Sequence, residues 1–249
     1  MIEFAGLHKS FNGQKVLNGV DLQIPTGKIA TVVGKSGCGK SVLVKHIMGL
    51  LKPDSGQVLI DGVDITRLDS AELDRIRQKL GVLFQGGALF DSMTVNENVA
   101  FPLKEKTKLK KTEIADRVMQ ALEDVGLKDM GNKFPEELSG GMKKRAALAR
   151  ALITEPGLVI FDEPTTGLDP VIASSMHRLI KTTHEKYGYT AVIISHEVPG
   201  IFRITDKVAM LYGGVIVQAG TPDEINNSTN PVVKQFITGS LEGPMDILS

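Results

Sequence analysis

The stretch IATVVGKSGCGKS, Ile29 to Ser41, decides how this chain is read. Ile29 to Val33 is a short run bounded by glycines, which suits a strand buried on both faces of a parallel sheet. Gly34 to Ser41 then fits G-x-x-x-x-G-K-[ST], and Ser41 to Leu51 reads as a helix stopped before Pro53. A strand before the motif and a helix after it form the context in which such a loop holds phosphate. Phosphate oxygens need many donors at short range. The glycines Gly34, Gly37 and Gly39 let the backbone N–H groups wrap an anion, together with those of Lys35, Ser36 and Cys38, and the helix N-terminus adds its dipole. Lys40 would reach the β- and γ-phosphates as a point charge, and the Ser41 hydroxyl would ligate Mg²⁺. Cys38 reads as a small side chain tolerated at a free position of the loop.

Around this loop the chain has 249 residues, 42% of them hydrophobic, enough for a full core. Lys+Arg and Asp+Glu both count 29, so the formal net charge is zero and no electrostatic footprint for nucleic acid exists. The basic run KEKTKLKK, Lys104 to Lys111, could touch lipid headgroups or a partner, or be the blander solvated helix end or loop, which its composition favours. One cysteine excludes an intramolecular disulfide and fits a reducing compartment. The N-terminal MIEFAGLHKSFNGQKVL lacks a basic head followed by a long apolar run, so no signal peptide is expected. No apolar stretch approaches the roughly 20 residues that span a bilayer, so a soluble chain is expected, with any membrane role supplied by a partner.

Residues 1–28 alternate apolar and polar around an Asn12-Gly13 turn and read as antiparallel strands. Gln57 to Ile60 is another strand, ending at Asp61-Gly62. From about Gly86 to Pro156 the pattern turns helical; Ile114, Val118, Ala121, Leu122 and Val125 recur at helical spacing until Gly126. Leu158–Phe161 and Ala191–Ile194 are buried-strand runs, and Val208–Leu211 and Val215–Gln218 flank Gly213-Gly214 as a hairpin. Asn226 to Ser249 has weak periodicity and reads as a tail.

Two further motifs carry chemistry. Leu158-Val-Ile-Phe-Asp162-Glu163 is an apolar strand ending in two acids. A buried strand fixes its last residue, and ligands gather at such strand ends in parallel α/β sheets. Asp162 suits Mg²⁺, and Glu163 suits a general base aimed at the attacking water. His196 follows the third buried run; it is either a surface residue after a strand or a contact to the γ-phosphate and the water.

The stretch LSGGMKKRAALARAL, Leu138 to Leu152, opens on Ser139-Gly140-Gly141 before a basic helix. A P-loop chain whose helical insertion ends in LSGG, shortly before an apolar strand with Asp-Glu, resembles the ATP-binding cassette (ABC) ATPases. The set occurs in the family's order: Phe11, the loop 34–41, Gln85, LSGGM at 138–142, Asp162-Glu163, the Gly-Leu-Asp169 loop and His196. The resemblance implies an α/β fold: a RecA-like P-loop NTPase core with an N-terminal antiparallel β subdomain and a helical insertion. It implies an ATPase domain over 1–225, a helical subdomain over about 86–157, and a C-terminal tail over 226–249. It implies a homodimer in the ATP-bound state, each ATP lying between the P-loop of one copy and Ser139, Gly140 and Gly141 of the other. Phe11 would stack on adenine beside Val16, or be a core strand residue. Gln85 would sense Mg²⁺ and the γ-phosphate, and Asp169 would reach the opposite P-loop. ATP and Mg²⁺ are the implied cofactors.

Such a chain normally docks on an integral-membrane permease beside the Gln85 loop. Here Gly86–Phe90, Val95, Val99, Phe101 and Leu103 offer apolar groups, for docking or for the core. Met142 replaces the glutamine usual after LSGG. With FQGGALFDSMTVNENVAFPL (84–103), FDEPTTGLDP (161–170), SHEVPGIFRITDKVAML (195–211) and NPVVKQFITGSLEGP (230–244), it looks like the ATPases of MCE-type lipid transporters, the Mla phospholipid system among them. That branch implies a permease, an MCE substrate-binding protein, a STAS-domain subunit, glycerophospholipid as cargo, and a peripheral place on the cytoplasmic face of the bacterial inner membrane. A polar-solute importer ATPase and a non-transport division-type ABC ATPase remain alternatives. A P-loop kinase is disfavoured by LSGGM, Asp169 and His196.

Overall fold

A computed structural model describes residues 1–246; Ile247 to Ser249, the end of the expected tail, lie outside the described residues. In chain order the elements are β1 (Ile2–Phe11), β2 (Gln14–Ile24), β3 (Ile29–Val33), α1 (Lys40–Ile47), β4 (Ser55–Ile60), β5 (Val63–Asp64), α2 (Ser70–Gln78), β6 (Leu80–Leu83) and α3 (Val95–Lys106). There follow α4 (Lys111–Asp124), α5 (Gly140–Leu152), β7 (Leu158–Asp162), α6 (Pro170–Tyr187), β8 (Thr190–Ser195), β9 (Lys207–Tyr212), β10 (Val215–Gly220), α7 (Pro222–Asn226) and α8 (Pro231–Thr238). They group into two compact units, Met1–Arg77 with Thr190–Ser249, and Gln78–Tyr189.

In the first unit β1 pairs antiparallel with β2 and β4, in register Ile2↔Ile24 and Phe4↔Leu22 on one side and Ile2↔Ile60 on the other. The alternation read from the sequence puts Ile2, Phe4, Leu7, Val20, Leu22 and Ile24 inside. β3 is buried along its whole length. It runs parallel to β8 in register Ile29↔Ala191 and to β9 in register Ala30↔Lys207, while β10 returns antiparallel on β9. Burying each such Ile or Val contributes about 1.5–3 kcal/mol, which makes β3 a stiff mount for the loop that follows it.

Two expectations for this unit are corrected. The helix after the phosphate loop ends at Ile47 rather than Leu51, because Gly49 takes a left-handed conformation (φ +62°) and the Leu50 N–H turns back to Lys45 O. Within the expected tail, α8 forms: Asn230 caps it by accepting from Val232 N at 3.0 Å, Pro231 occupies its first turn, and Gly239 ends it. Val233 is buried there, and one such anchor in so short a helix leaves little periodicity to read.

In the second unit β6 and β7 are parallel, in register Leu80↔Leu158 and Leu83↔Phe161. Val159, Ile160 and Phe161 are fully buried. α3 opens on a reciprocal Thr94–Glu97 cap, and α4 buries the expected Ile114, Val118, Ala121 and Leu122. Val95, Val99 and Leu103 are core rather than docking residues, since at helical spacing they fill the inner face of α3; Phe84 and Phe90 stay exposed. Lys104 and Lys106 form the exposed last turn of α3, as the bland reading of the basic run had it. Among the described residues no helix is long and apolar enough to cross a membrane.

Candidate functional site

In the first unit the phosphate loop is a cradle of backbone closed at both ends by contact. At Gly39 φ is +104°, and an added Cβ would meet Val16 Cγ1 at 3.0 Å and Leu17 Cδ2 at 3.2 Å. At Gly34 an added Cβ would lie 2.4 Å from Leu211 O on β9. Neither position admits a side chain, so the strand–loop–helix path needs glycine there. Lys40 is buried, and its Nζ donates to Gly34 O at 2.8 Å and Lys35 O at 2.9 Å, holding the ammonium inside the loop. Ser36, Gly37 and Ser41 are exposed. Nothing lies within 4 Å of the Cβ position of Gly37, which faces open space. Burial pushes the Cys38 thiol above its ordinary range, against the pull of Lys40.

The other predicted residues of this unit take separate places. Val16 packs against Gly39, as the contact above requires. Phe11 ends β1 and is 40% exposed, which removes the core-strand reading; Lys9 Nζ stands 5.6 Å from its ring centroid. His196 is exposed, directly after β8. The C-terminal segment touches the loop, where Lys35 Nζ donates to Asp246 O at 2.8 Å, and the end of β9, where Tyr212 OH donates to Pro244 O at 3.1 Å.

In the second unit Asp162 closes β7, and Glu163 follows with φ +51°. A left-handed glutamate costs about 1–3 kcal/mol and persists only where its surroundings hold it. They do so here. Gln85 Nε2 donates to Glu163 Oε2 at 3.1 Å, and Thr166 Oγ1 donates to the same oxygen at 3.0 Å. Gln85 and Glu163, 78 residues apart, are thus brought together as a pair. The Gln85 loop is itself pinned by α5, where Arg150 donates to Ala88 O and Gly87 O, both at 2.8 Å.

The same helix begins at the LSGG stretch. Ser139 is its cap, accepting from Met142 N at 3.3 Å, so the serine has a local role beside any ligand. Gly140 is exposed and unobstructed; its nearest neighbour to an added Cβ is Leu168 Cδ2 at 3.8 Å. At Gly141 an added Cβ would meet Ile172 Cγ2 of α6 at 2.8 Å. The two glycines therefore answer to different demands. Asp169 caps α6, its Oδ1 accepting from Val171 N and Ile172 N at 3.0 Å each. Reading the sequence missed Thr166, Arg150 and the buried Lys144, whose Nζ donates to Thr166 O at 2.6 Å. Lys144 had a legible signal: it shares the apolar face of α5 with Ala147, Leu148 and Ala151, where a charge has no reason to be unless bonded.

A bound nucleotide suits this loop chemically: glycines at Gly34 and Gly39 that exclude side chains, with an inward ammonium, suit an anion. Ser41 of the first unit offers a hydroxyl, and Gln85 and Asp162 of the second an amide oxygen and a carboxylate, each an oxygen donor of the kind a hard divalent ion takes. Among the described residues no cluster of three His, Cys, Asp or Glu side chains could hold a metal ion.

The family model described as ABC transporter matches residues 17–166. The chain is 45% identical, over 98% of its length and 70% of the relative's, to the probable ribonucleotide transport ATP-binding protein mkl of Mycobacterium leprae. It is 39% identical, over 98% of its length and 93% of the relative's, to the intermembrane phospholipid transport system ATP-binding protein MlaF of Haemophilus influenzae. Its fold matches the dimeric ATP-binding cassette MJ0796 in a post-hydrolysis state bound to ADP and Pi, with TM-score 0.81 and 31% identity over 89% of this chain and 99% of that one.

Proposed function

The chain belongs to the ABC transporter family, and from that premise we propose that it is the ATP-hydrolysing subunit of a membrane system moving phospholipid. Glu163 carries the hydrolytic reading: a glutamate held in a left-handed backbone at the end of a buried strand, its carboxylate oriented by Gln85 and Thr166. There it takes a proton from the attacking water, a role worth about 10²–10⁴ in rate. The backbone of Gly34–Ser41 and the Lys40 ammonium hold the phosphates. Phe11 and Val16 take the adenine, and His196 contacts the γ-phosphate. The assignment of Mg²⁺ to Ser41, Gln85 and Asp162 follows the family's motifs residue by residue. When bound, the ion supplies charge neutralisation to the transferring phosphoryl group.

Ser139, Gly140 and Gly141 meet the γ-phosphate of a second copy, and Asp169 reaches that copy's loop. The exposure of Gly140 supports this reading, as does the dimeric state of the solved relative. Residues 1–225 act as the ATPase domain, with a helical subdomain over about 86–157 and a C-terminal segment over 226–249.

Cargo follows the relatives. MlaF names phospholipid, at near-complete coverage of both chains. The name of mkl favours a second reading, ribonucleotide, which keeps the polar-solute alternative in play. An integral-membrane permease, an MCE substrate-binding protein and a STAS-domain subunit are the partners on the phospholipid reading, with the chain on the cytoplasmic face of a bacterial inner membrane.

Two experiments test the proposal. Glu163→Gln should bind ATP, stop turning over and accumulate as a dimer; turnover at the normal rate removes Glu163 as the base. Affinity purification from native membranes should bring down a permease with bound phospholipid. A permease complex that takes up nucleotide and holds no lipid decides for the second reading.

A further inference from the structure

Lys144 is a buried ammonium, 6% exposed, on a helix face otherwise made of alanine and leucine. Fold alone gives no reason for it, because an apolar side chain fills such a position without desolvating a charge. Two of its bonds point to one place. Nζ donates to Thr166 O at 2.6 Å and, in a longer and weaker contact, to Glu163 O at 3.4 Å. Those carbonyls bracket the turn 163–166. The backbone bond closing that turn, Thr166 N to Glu163 O, is itself long at 3.4 Å, so the turn is poorly held by its own main chain. Yet this turn sets the left-handed Glu163 and places the Thr166 hydroxyl 3.0 Å from its carboxylate.

We propose that Lys144 is a positioning residue for ATP hydrolysis: its ammonium cross-links the turn 163–166 from α5 and so holds the Glu163 carboxylate in its working orientation. It touches no substrate and acts through Glu163 and Thr166. It lies one helical turn beyond Gly140, on the helix whose first residues are proposed above to meet a γ-phosphate. A phosphate seated on that helix start is thereby linked through one rigid element to the hydrolytic glutamate of the same copy. The inference rests on Glu163 being the general base.

The test is steady-state ATPase activity of the full chain, alone and with its membrane partners, alongside ATP binding by equilibrium titration. Lys144→Met should lower kcat by about 10–100-fold, the scale of a misplaced catalytic group, while the Kd for ATP stays within about threefold. Lys144→Arg, which restores a buried donor, should recover most of kcat. Thr166→Val should lower kcat as well, and the double variant should lose less than the product of the two single losses, because both act through one carboxylate. If Lys144→Met does not fold, Lys144→Gln keeps a shorter donor at that depth, and the same split of kcat from Kd is required of it. Unchanged kcat in a folded variant overturns the inference, as does a parallel loss of kcat and ATP affinity, or a double variant whose losses multiply. Glu163→Gln separates the two layers. If it retains turnover, the base assignment fails; if it is inactive while Lys144→Met is fully active, only the positioning role fails.

Discussion

Replacing Gly140 by alanine separates what the LSGG stretch does for its own fold from what it does for a ligand. Within the chain a Cβ at Gly140 has only Leu168 Cδ2 nearby, at an ordinary 3.8 Å. Neither Gly140 nor Gly141 has a positive φ, so alanine meets no backbone strain at either place. Gly140→Ala should therefore stabilise the protein by about 0.4–1 kcal/mol through the unfolded chain, helped by the helix propensity of alanine. In a chain of this size that is a rise in melting temperature of about 1–3 °C. Against a phosphate drawn onto the helix start, the same methyl group holds the backbone donors away, and losing one such donor costs about 10²–10³ in kcat. Gly141→Ala should behave in the opposite way. Its Cβ would meet Ile172 Cγ2 at 2.8 Å, and that β-branched side chain cannot swing aside, so overpacking costs about 1–3 kcal/mol and lowers the melting temperature. Thermal melts and phosphate-release assays on both variants measure the two effects. Normal turnover in Gly140→Ala would refute the close approach of phosphate to that backbone. A lowered melting temperature in the same variant would refute the account of its packing.

Three further outcomes are expected. Burial depresses the pKa of His46 below its ordinary 6.5, against the opposing bond to Val42 O. The unfolded chain therefore binds the extra proton first, so His46 contributes stability in full above about pH 6.5 and loses it as the pH falls below that; His46→Leu should flatten the dependence of the denaturation midpoint between pH 7 and about 5. Because burial raises the Cys38 thiol, iodoacetamide should modify it slowly at neutral pH and faster above its ordinary 9.0, and the modified protein should lose ATP binding; full binding after complete modification counts against the loop as the nucleotide site. Met142→Gln should keep kcat within about one order of magnitude, since the position adds no charge-bearing donor, and a collapse of turnover would give the methionine more than a packing role.

The phosphate loop was legible because its strand, glycines and helix are consecutive, and Leu158–Glu163 because a continuous apolar run ends in two acids. Local order also sufficed for the β1–β2 pair and for α4, whose apolar spacing matches the buried set. Short segments defeated it. α8 has one strongly buried apolar residue, and α1 stops at a glycine that the apolar pattern runs past. Phe11 could not be assigned to core or surface from alternation alone, because that decision depends on what covers the end of β1.

What the sequence determined by itself is therefore the set of parts: an anion loop, an acidic strand end and a glycine-led helix, each written in neighbouring residues whose chemistry is local. The tertiary structure decided how the parts of one unit are held. Gln85, Lys144 and the turn that carries Glu163 and Thr166 come from three separate segments, and Lys144 reads as one more basic residue until its ammonium is found on the carbonyl of Thr166. The two glycines of LSGG look equivalent in the sequence, and only Ile172 packing beneath Gly141 tells them apart. Burial and hydrogen bonding across long sequence separations are set by packing, and no local pattern in the chain encodes them.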